Sequence, residues 1–149
     1  MNDSRICYVV DASVGIKLFV DEEFSDRAHA LFSYLAADPP AELYVPDLFY
    51  IECSNILLKY TRRYGRSLED AKADLTDLGQ LALRNTSTSE LMEKSLVLAS
   101  KLNLSAYDAC YAVLAQQLEI PLITADQPLA KKFDHAVFLG NLDIQLWGD

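Results

Sequence analysis

Between Leu104 and Ala115 a single carboxylate, Asp108, sits among Ala106, Tyr107, Ala109, Cys110, Tyr111, Ala112, Val113 and Leu114. A helix that is apolar around nearly its whole circumference has to be covered on all sides, so the rest of the chain is arranged around this stretch. Asp108 therefore starts from an expensive position. An unpaired buried carboxylate costs several kcal/mol and normally neutralises, pairs or binds a metal. No Lys, Arg or His lies within a turn of it. Ser105 three residues earlier offers a structural alternative, a capping box with Asp108 at the third helical position. Taken alone, the two readings stand level.

The bulk numbers narrow the class. At 149 residues, 51% hydrophobic and 23% charged, the chain reads as one compact domain spanning 1–149, long enough for a real core. Its apolar runs are too short for a membrane span, and Arg5 is followed at once by a strand-like run rather than a signal segment, which points to a cytoplasmic protein. Cys7, Cys53 and Cys110 are odd in number and far apart, and read as reduced core residues. A net charge of -9 argues against a general nucleic-acid coat but suits a basic protein partner or an enzyme that reaches phosphates through cations.

Strand-like runs at 6–10, 43–45, 121–124 and 136–139, with a weaker one at 85–88, alternate with helical patterns. Ser13 is a candidate cap for a short helix over 14–19, and Ser25 for one reaching about Ala37. Asp47 is placed to cap a long helix to about Arg63, and Ser67 with Asp70 resembles a capping box for a helix to about Leu83. Thr88 or Ser89 starts a helix to about Leu102, Ser105 opens the central one to about Leu118, and Pro128 suits the first turn of a helix ending at Phe133. Glu69, Asp70, Asp74 and Asp77 read as a solvated face, and Ile144 to Trp147 as an apolar tail that docks. Short apolar strands alternating with helices predict a three-layer α/β/α fold around a mostly parallel sheet of four to five strands.

In such sheets ligands sit beyond the carboxyl ends of the strands. Asp11 and Asp126 follow strands directly, Asp108 lies near the start of its helix, and Glu52 sits one turn into its own, on an apolar stripe. Each has a bland alternative: a strand-to-helix turn for Asp11, an arginine partner for Glu52, a cap for Asp108, a turn before Pro128 for Asp126. Jointly, four acids falling where an open sheet places its site favour a shared role. Two like charges about 4 Å apart repel by ~4 kcal/mol at an effective dielectric near 20, so the cluster needs a cation or a proton. Oxygen-only ligands favour Mg²⁺ or Mn²⁺ over zinc, and His29 and His135 are isolated. Carboxylates with a hard ion suit phosphoryl chemistry. No Ser/His or Cys/His constellation and no Gly-Lys-Ser/Thr phosphate loop is present.

These residues resemble those of PIN-domain ribonucleases, in particular VapC-type toxins of bacterial and archaeal toxin–antitoxin pairs. The resemblance rests on Val10, Asp11, Ala12 and Ser13; on Pro46, Asp47 and Glu52; on Tyr107, Asp108, Ala109, Tyr111, Ala112 and Ala115; and on Thr124, Ala125, Asp126 and Leu129. It spans essentially the whole chain. It implies a PIN-like fold and a metal-dependent endoribonuclease that leaves a 5′-phosphate, usually a homodimer held inactive by a small antitoxin. By position, Asp11, Glu52, Asp108 and Asp126 would be the metal-binding quartet, with Ser13 and Thr124 as supporting polar residues. A further acid found in some members has no counterpart, since Gln127 is neutral and Asp134 distant.

Arg62, Arg63 and Arg66, interleaved with Tyr60 and Tyr64, form a candidate RNA-binding patch, with Lys131 and Lys132 as a second; cations complementing helix ends are the alternative. Apolar helix surfaces around Phe49, Leu57, Leu68 and Leu75 are candidates for antitoxin contact. Two rivals remain: a receiver-like Mg²⁺-binding signalling domain, and a PIN-like domain that only binds partners. The receiver would want paired acids after the first strand and a lysine after the last, where Asp11 stands alone and Gly140 and Asn141 follow.

Overall fold

A computed structural model describes residues 6–143 of the chain; the apolar tail expected to dock lies outside them. Five strands, β1 (Cys7–Val10), β2 (Glu42–Pro46), β3 (Arg84–Thr86), β4 (Leu122–Thr124) and β5 (Ala136–Phe138), form one sheet of order β3-β2-β1-β4-β5. Every pairing is parallel, as the short two-face-apolar strands require. Val9, Val10, Leu43, Val45, Leu122 and Ile123 are fully buried, whereas edge strand β3 exposes Arg84 and Asn85, which discourages pairing with another chain.

The helices α1 (Ala12–Gly15), α2 (Ser25–Ser33), α3 (Leu48–Tyr64), α4 (Leu68–Gln80), α5 (Met92–Leu102), α6 (Ala106–Leu118) and α7 (Gln127–Lys132) flank the sheet. The central helix α6 packs on β1, β2, β4 and α5, and residues Ala109 to Ala115 are all buried. Its first turn is different. Tyr107 is 65% exposed, so the apolar circumference read from the sequence is covered only from the second turn onward.

The strand order carries the functional consequence. Counting outward from β1, the chain steps one way to β2 and β3 and the other way to β4 and β5, so the order reverses between β1 and β4. That reversal opens a crevice at the carboxyl ends of the two strands, where open α/β sheets bind ligands. It also excludes the receiver-like rival, whose fold has strand order 2-1-3-4-5.

Several local expectations are corrected. Asp11, not Ser13, caps α1, by accepting from Val14 N–H at 3.3 Å. Ser25 begins α2 behind a left-handed Phe24 (φ 66°), and its Oγ accepts from Glu22 N–H and donates to Val20 O. Asp47 does not cap its own helix: Thr88 Oγ1 accepts from Leu48 N–H, while the Asp47 carboxylate accepts from Thr88 N–H and hydroxyl, which holds its pKa below the ordinary range. Asp74 is buried rather than solvated, because it receives Arg66 Nε at 2.7 Å. Ser67 caps α4 as expected, but α4 stops at Gln80. None of Cys7, Cys53 and Cys110 is in a disulfide.

Candidate functional site

Asp11 lies at the reversal point, one residue past β1 and 4% exposed. Its Oδ1 accepts from Ser13 Oγ at 2.5 Å and from Val14 N–H, and its Oδ2 accepts from Thr124 Oγ1 at 2.5 Å. Ser13 Oγ in turn accepts from Ala125 N–H at 2.9 Å, and Thr124 Oγ1 accepts from Asp126 N–H at 3.0 Å. The two hydroxyls thus stitch the end of β1 to the end of β4 and fix where Asp126 begins. Burial pushes the Asp11 carboxyl up to about 7 against the opposing pull of these hydrogen bonds, and the charge of Asp108 adds to the rise.

Asp126 caps α7, its Oδ1 accepting from Leu129 N–H at 3.2 Å, with Pro128 in the first turn as the sequence implied. Asp108 is the third residue of α6, and Ser105 Oγ accepts from its N–H at 3.0 Å. The cap expected of Ser105 therefore exists, without consuming the carboxylate's place at the edge. Burial and then the charge of Asp126 raise the Asp108 carboxyl, while Ser105 and Lys132 oppose the rise. Glu52, the fifth residue of α3, accepts at Oε1 from Tyr111 OH at 2.5 Å; burial and Asp108 raise its pKa while that hydrogen bond opposes them. Its hydrogen bond comes from Tyr111, not from the arginine of the alternative above.

The four acids are electrostatic neighbours linked through Asp108, which acts on Asp11 and Glu52 and is acted on by Asp126. They do not close into a finished shell: among the described residues no three His, Cys, Asp or Glu side chains are set to hold a metal ion. Asp11, Glu52 and Asp126 are each held by their own hydrogen bonds, so the arrangement is a rim of separately anchored carboxylates. The donor chemistry still fits a hard divalent ion, since the rim offers oxygen alone and the neighbouring thiol of Cys53 is pushed up by burial and stays protonated. A cleft lined by Glu119, Ile120, Pro121 and His135 lies at the other end of α6 and contains none of the four.

The arginine patch is not brought to this rim. Arg62 and Arg63 are exposed ten residues and more beyond Glu52, on the order of 15 Å along the α3 axis. Arg66 spends its guanidinium on Asp74, with NH2 also at 2.5 Å. Lys132, of the second patch, donates to Asn103 O at 2.9 Å and is near enough for its charge to lower the Asp108 carboxyl. Tyr111 was not singled out for a role, although a buried phenol needs a partner for its hydroxyl and Tyr111 follows Asp108 by one helical turn.

Comparison with known proteins agrees with this geometry. Residues 8–134 match the family model described as PIN domain. The chain belongs to the PIN-domain family. Ribonuclease VapC3 of Pyrobaculum aerophilum is 35% identical over 127 residues, 84% of this PIN chain and 93% of that protein. The crystal structure of PAE2754 from the same organism superposes with a TM-score of 0.70 at 22% identity, covering 95% of each chain. A toxin-antitoxin complex from Klebsiella pneumoniae does so at 0.62 and 16% identity, over 89% of this chain and 97% of that one. At those identities the two structures speak to the PIN fold alone. Among the described residues no helix is long and apolar enough to cross a membrane.

Proposed function

We propose that this PIN-domain protein is a metal-dependent endoribonuclease, the toxin of a toxin–antitoxin pair. The reading is supported by the electrostatic linkage of Asp11, Glu52 and Asp126 through Asp108, with Asp11 and Asp126 at the ends of the two strands where the order reverses, in a chain 35% identical to a named ribonuclease. Asp11, Asp108 and Asp126, with Glu52 directly or through water, would hold Mg²⁺ or Mn²⁺. When bound, such an ion orients and ionises a water and shields charge developing on the scissile phosphate.

The protein's own residues prepare that chemistry. Ser13 and Thr124 fix both oxygens of Asp11, so that its orientation is set in advance. Tyr111 does the same for one oxygen of Glu52 and leaves the other for the rim.

A small antitoxin fits as partner, and a homodimer acting in the cytoplasm as the working state. Of the surface proposed for antitoxin contact, Leu68 and Leu75 are exposed, but Phe49 and Leu57 belong to the core. Exposed Ile51 and Leu58 of α3 stand in their place, and the net charge of -9 suits a basic partner. Antitoxin-free protein is expected to cleave RNA with Mg²⁺ or Mn²⁺, to stop in EDTA, and to lose activity as Asp11→Asn. Chelator-resistant cleavage, or full activity of the variant, overturns the reading.

A further inference from the structure

We propose that Tyr107 and Lys132 form the docking point for one unpaired nucleotide of the RNA, the phenol ring stacking its base and the ammonium meeting its phosphate. The inference rests on the ribonuclease reading and adds to it the place where the strand is gripped.

Tyr107 immediately precedes the half-buried Asp108 in the first turn of α6 and is 65% exposed, although Ala109 to Ala115 beyond them are all buried. A large ring left in water beside the acidic rim is a flat surface free to stack. Polar residues lie close to it in the chain: Ser105 and Asp108 in the same turn, and Asn103 in the loop before it. Met92, Leu96 and Val97 of α5 are also exposed, and they lie at least six residues before Asn103 in the chain.

Lys132 supplies the second, independent observation. It ends α7, the helix that Asp126 begins, and its Nζ donates to Asn103 O at 2.9 Å. Asn103 is the left-handed cap of α5 (φ 56°), two residues before Ser105. The ammonium is thereby moored beside the turn that launches Tyr107 and Asp108, and it carries two further N–H donors toward solvent-side ligands. In a chain of net charge -9, a phosphate approaching this rim needs such a local cation.

The ring defines the class of substrate. Every base has a π-face, so stacking tolerates sequence, but in an A-form duplex the faces are occupied by neighbouring bases. The docking point therefore takes single-stranded RNA.

The test is fluorescence anisotropy with a fluorescein-labelled, mixed-sequence 12-nucleotide RNA at low salt, with Ca²⁺ replacing Mg²⁺ to slow hydrolysis. Tyr107→Ala is expected to raise Kd about 5- to 100-fold, while Tyr107→Phe and Tyr107→Trp stay within about threefold of the parent. Lys132→Ala is expected to weaken binding and to reduce the slope of log K against log salt by about 0.7. A blunt RNA duplex of the same length should bind without dependence on Tyr107. Parental affinity in Tyr107→Ala, equal losses on duplex, or no binding of the single strand by the parent overturns the proposal. So does a Tyr107→Ala defect confined to self-association or antitoxin binding, which would make the ring a protein contact. Tyr107-dependent binding without cleavage in Mg²⁺ or Mn²⁺ sinks the ribonuclease reading and keeps the docking point. Cleavage with Tyr107-independent binding does the reverse.

Discussion

Tyr111 donates its phenolic hydroxyl to Glu52 Oε1 at 2.5 Å, joining the central helix to the long helix that follows β2. The ring is 1% exposed, and burial, reinforced by the charge of Glu52, raises its pKa so that the hydroxyl remains a donor. One helix thus contributes Asp108 and, a turn later, the group that orients Glu52.

Tyr111→Phe keeps the ring and removes only that donor. Loss of an orienting hydrogen bond to a metal-binding group typically costs 10–100-fold in metal affinity or activity, and that range is expected here for both Mn²⁺ binding by calorimetry and RNA cleavage. Glu52→Ala should instead destabilise the fold by about 1–3 kcal/mol in urea melts, because it strands a buried hydroxyl. A Tyr111→Phe protein with parental metal affinity would remove the positioning role.

Asp11 sets the pH dependence of the metal-free fold. Its carboxyl sits at about 7 in the folded chain against an ordinary 3.8, so between those values the native state holds a proton that the unfolded state has released. Its contribution to stability is full below about pH 4, falls as pH rises through the window, and is lost above 7, a penalty of ~4 kcal/mol. In EDTA, Asp11→Asn is expected to melt roughly 8–16 °C above the parent at pH 8, with the gap closing toward pH 4. Asp108→Asn should act in the same direction, since burial and Asp126 raise that carboxyl too. Lower melting points at pH 8 would show that the hydrogen bonds to these carboxylates outweigh the cost of their charge.

The same proton competes with the ion. Apparent Mn²⁺ affinity, measured by calorimetry from pH 5.5 to 8, should rise about tenfold per unit while Asp11 is protonated and level off above about 7. A plateau already reached at pH 5.5 would mean that Asp11 is ionised throughout and is not the controlling group.

Arg66 tests which cations serve the fold. Its Nε and NH2 both approach Asp74 Oδ2, at 2.7 and 2.5 Å, and Asp74 is 8% exposed. Arg66→Ala leaves that carboxylate buried and unpaired, and should cost about 2 kcal/mol by urea melt with RNA affinity unchanged. Loss of RNA affinity with parental stability would return Arg66 to the binding patch where its sequence position put it.

The split between Arg66 and Lys132 shows where the sequence was legible and where it was not. Strand-terminal Asp11 and Asp126 could be placed because an apolar run that ends on an acid marks a sheet edge, and Ser105 and Ser67 because a cap is a local event within one turn. The strand order is not local, so the adjacency of β1 and β4, and with it the hydrogen bond from Thr124 to Asp11, has no signature within either segment. Asp74 and Asp47 were misread for a related reason. Their partners, Arg66 across a turn and Thr88 forty-one residues away, are set by how helices meet rather than by helical spacing.

Gly15 bears on how closely α1 meets α3. A Cβ at Gly15 would lie 2.6 and 2.8 Å from two atoms of the Phe49 ring, a side chain fully buried and unable to retreat to solvent. Gly15 follows Asp11 by one turn and Phe49 precedes Glu52 by one, so the overlap in Gly15→Ala must push apart the two helices whose acids face the rim. Overpacking of this kind costs typically 1–3 kcal/mol, and a displacement of about 1 Å at a reacting centre can cost 100-fold in rate. Gly15→Ala is therefore expected to lose more cleavage than its melting temperature accounts for when assayed well below that temperature. Gly79→Ala is the matched control: its Cβ would meet nothing within 4 Å near the end of α4, and it should gain up to about 1 kcal/mol with parental activity. If Gly15→Ala instead melts and cleaves like the parent, Phe49 has room to move, and the contact between α1 and α3 does not set the distance from Asp11 to Glu52.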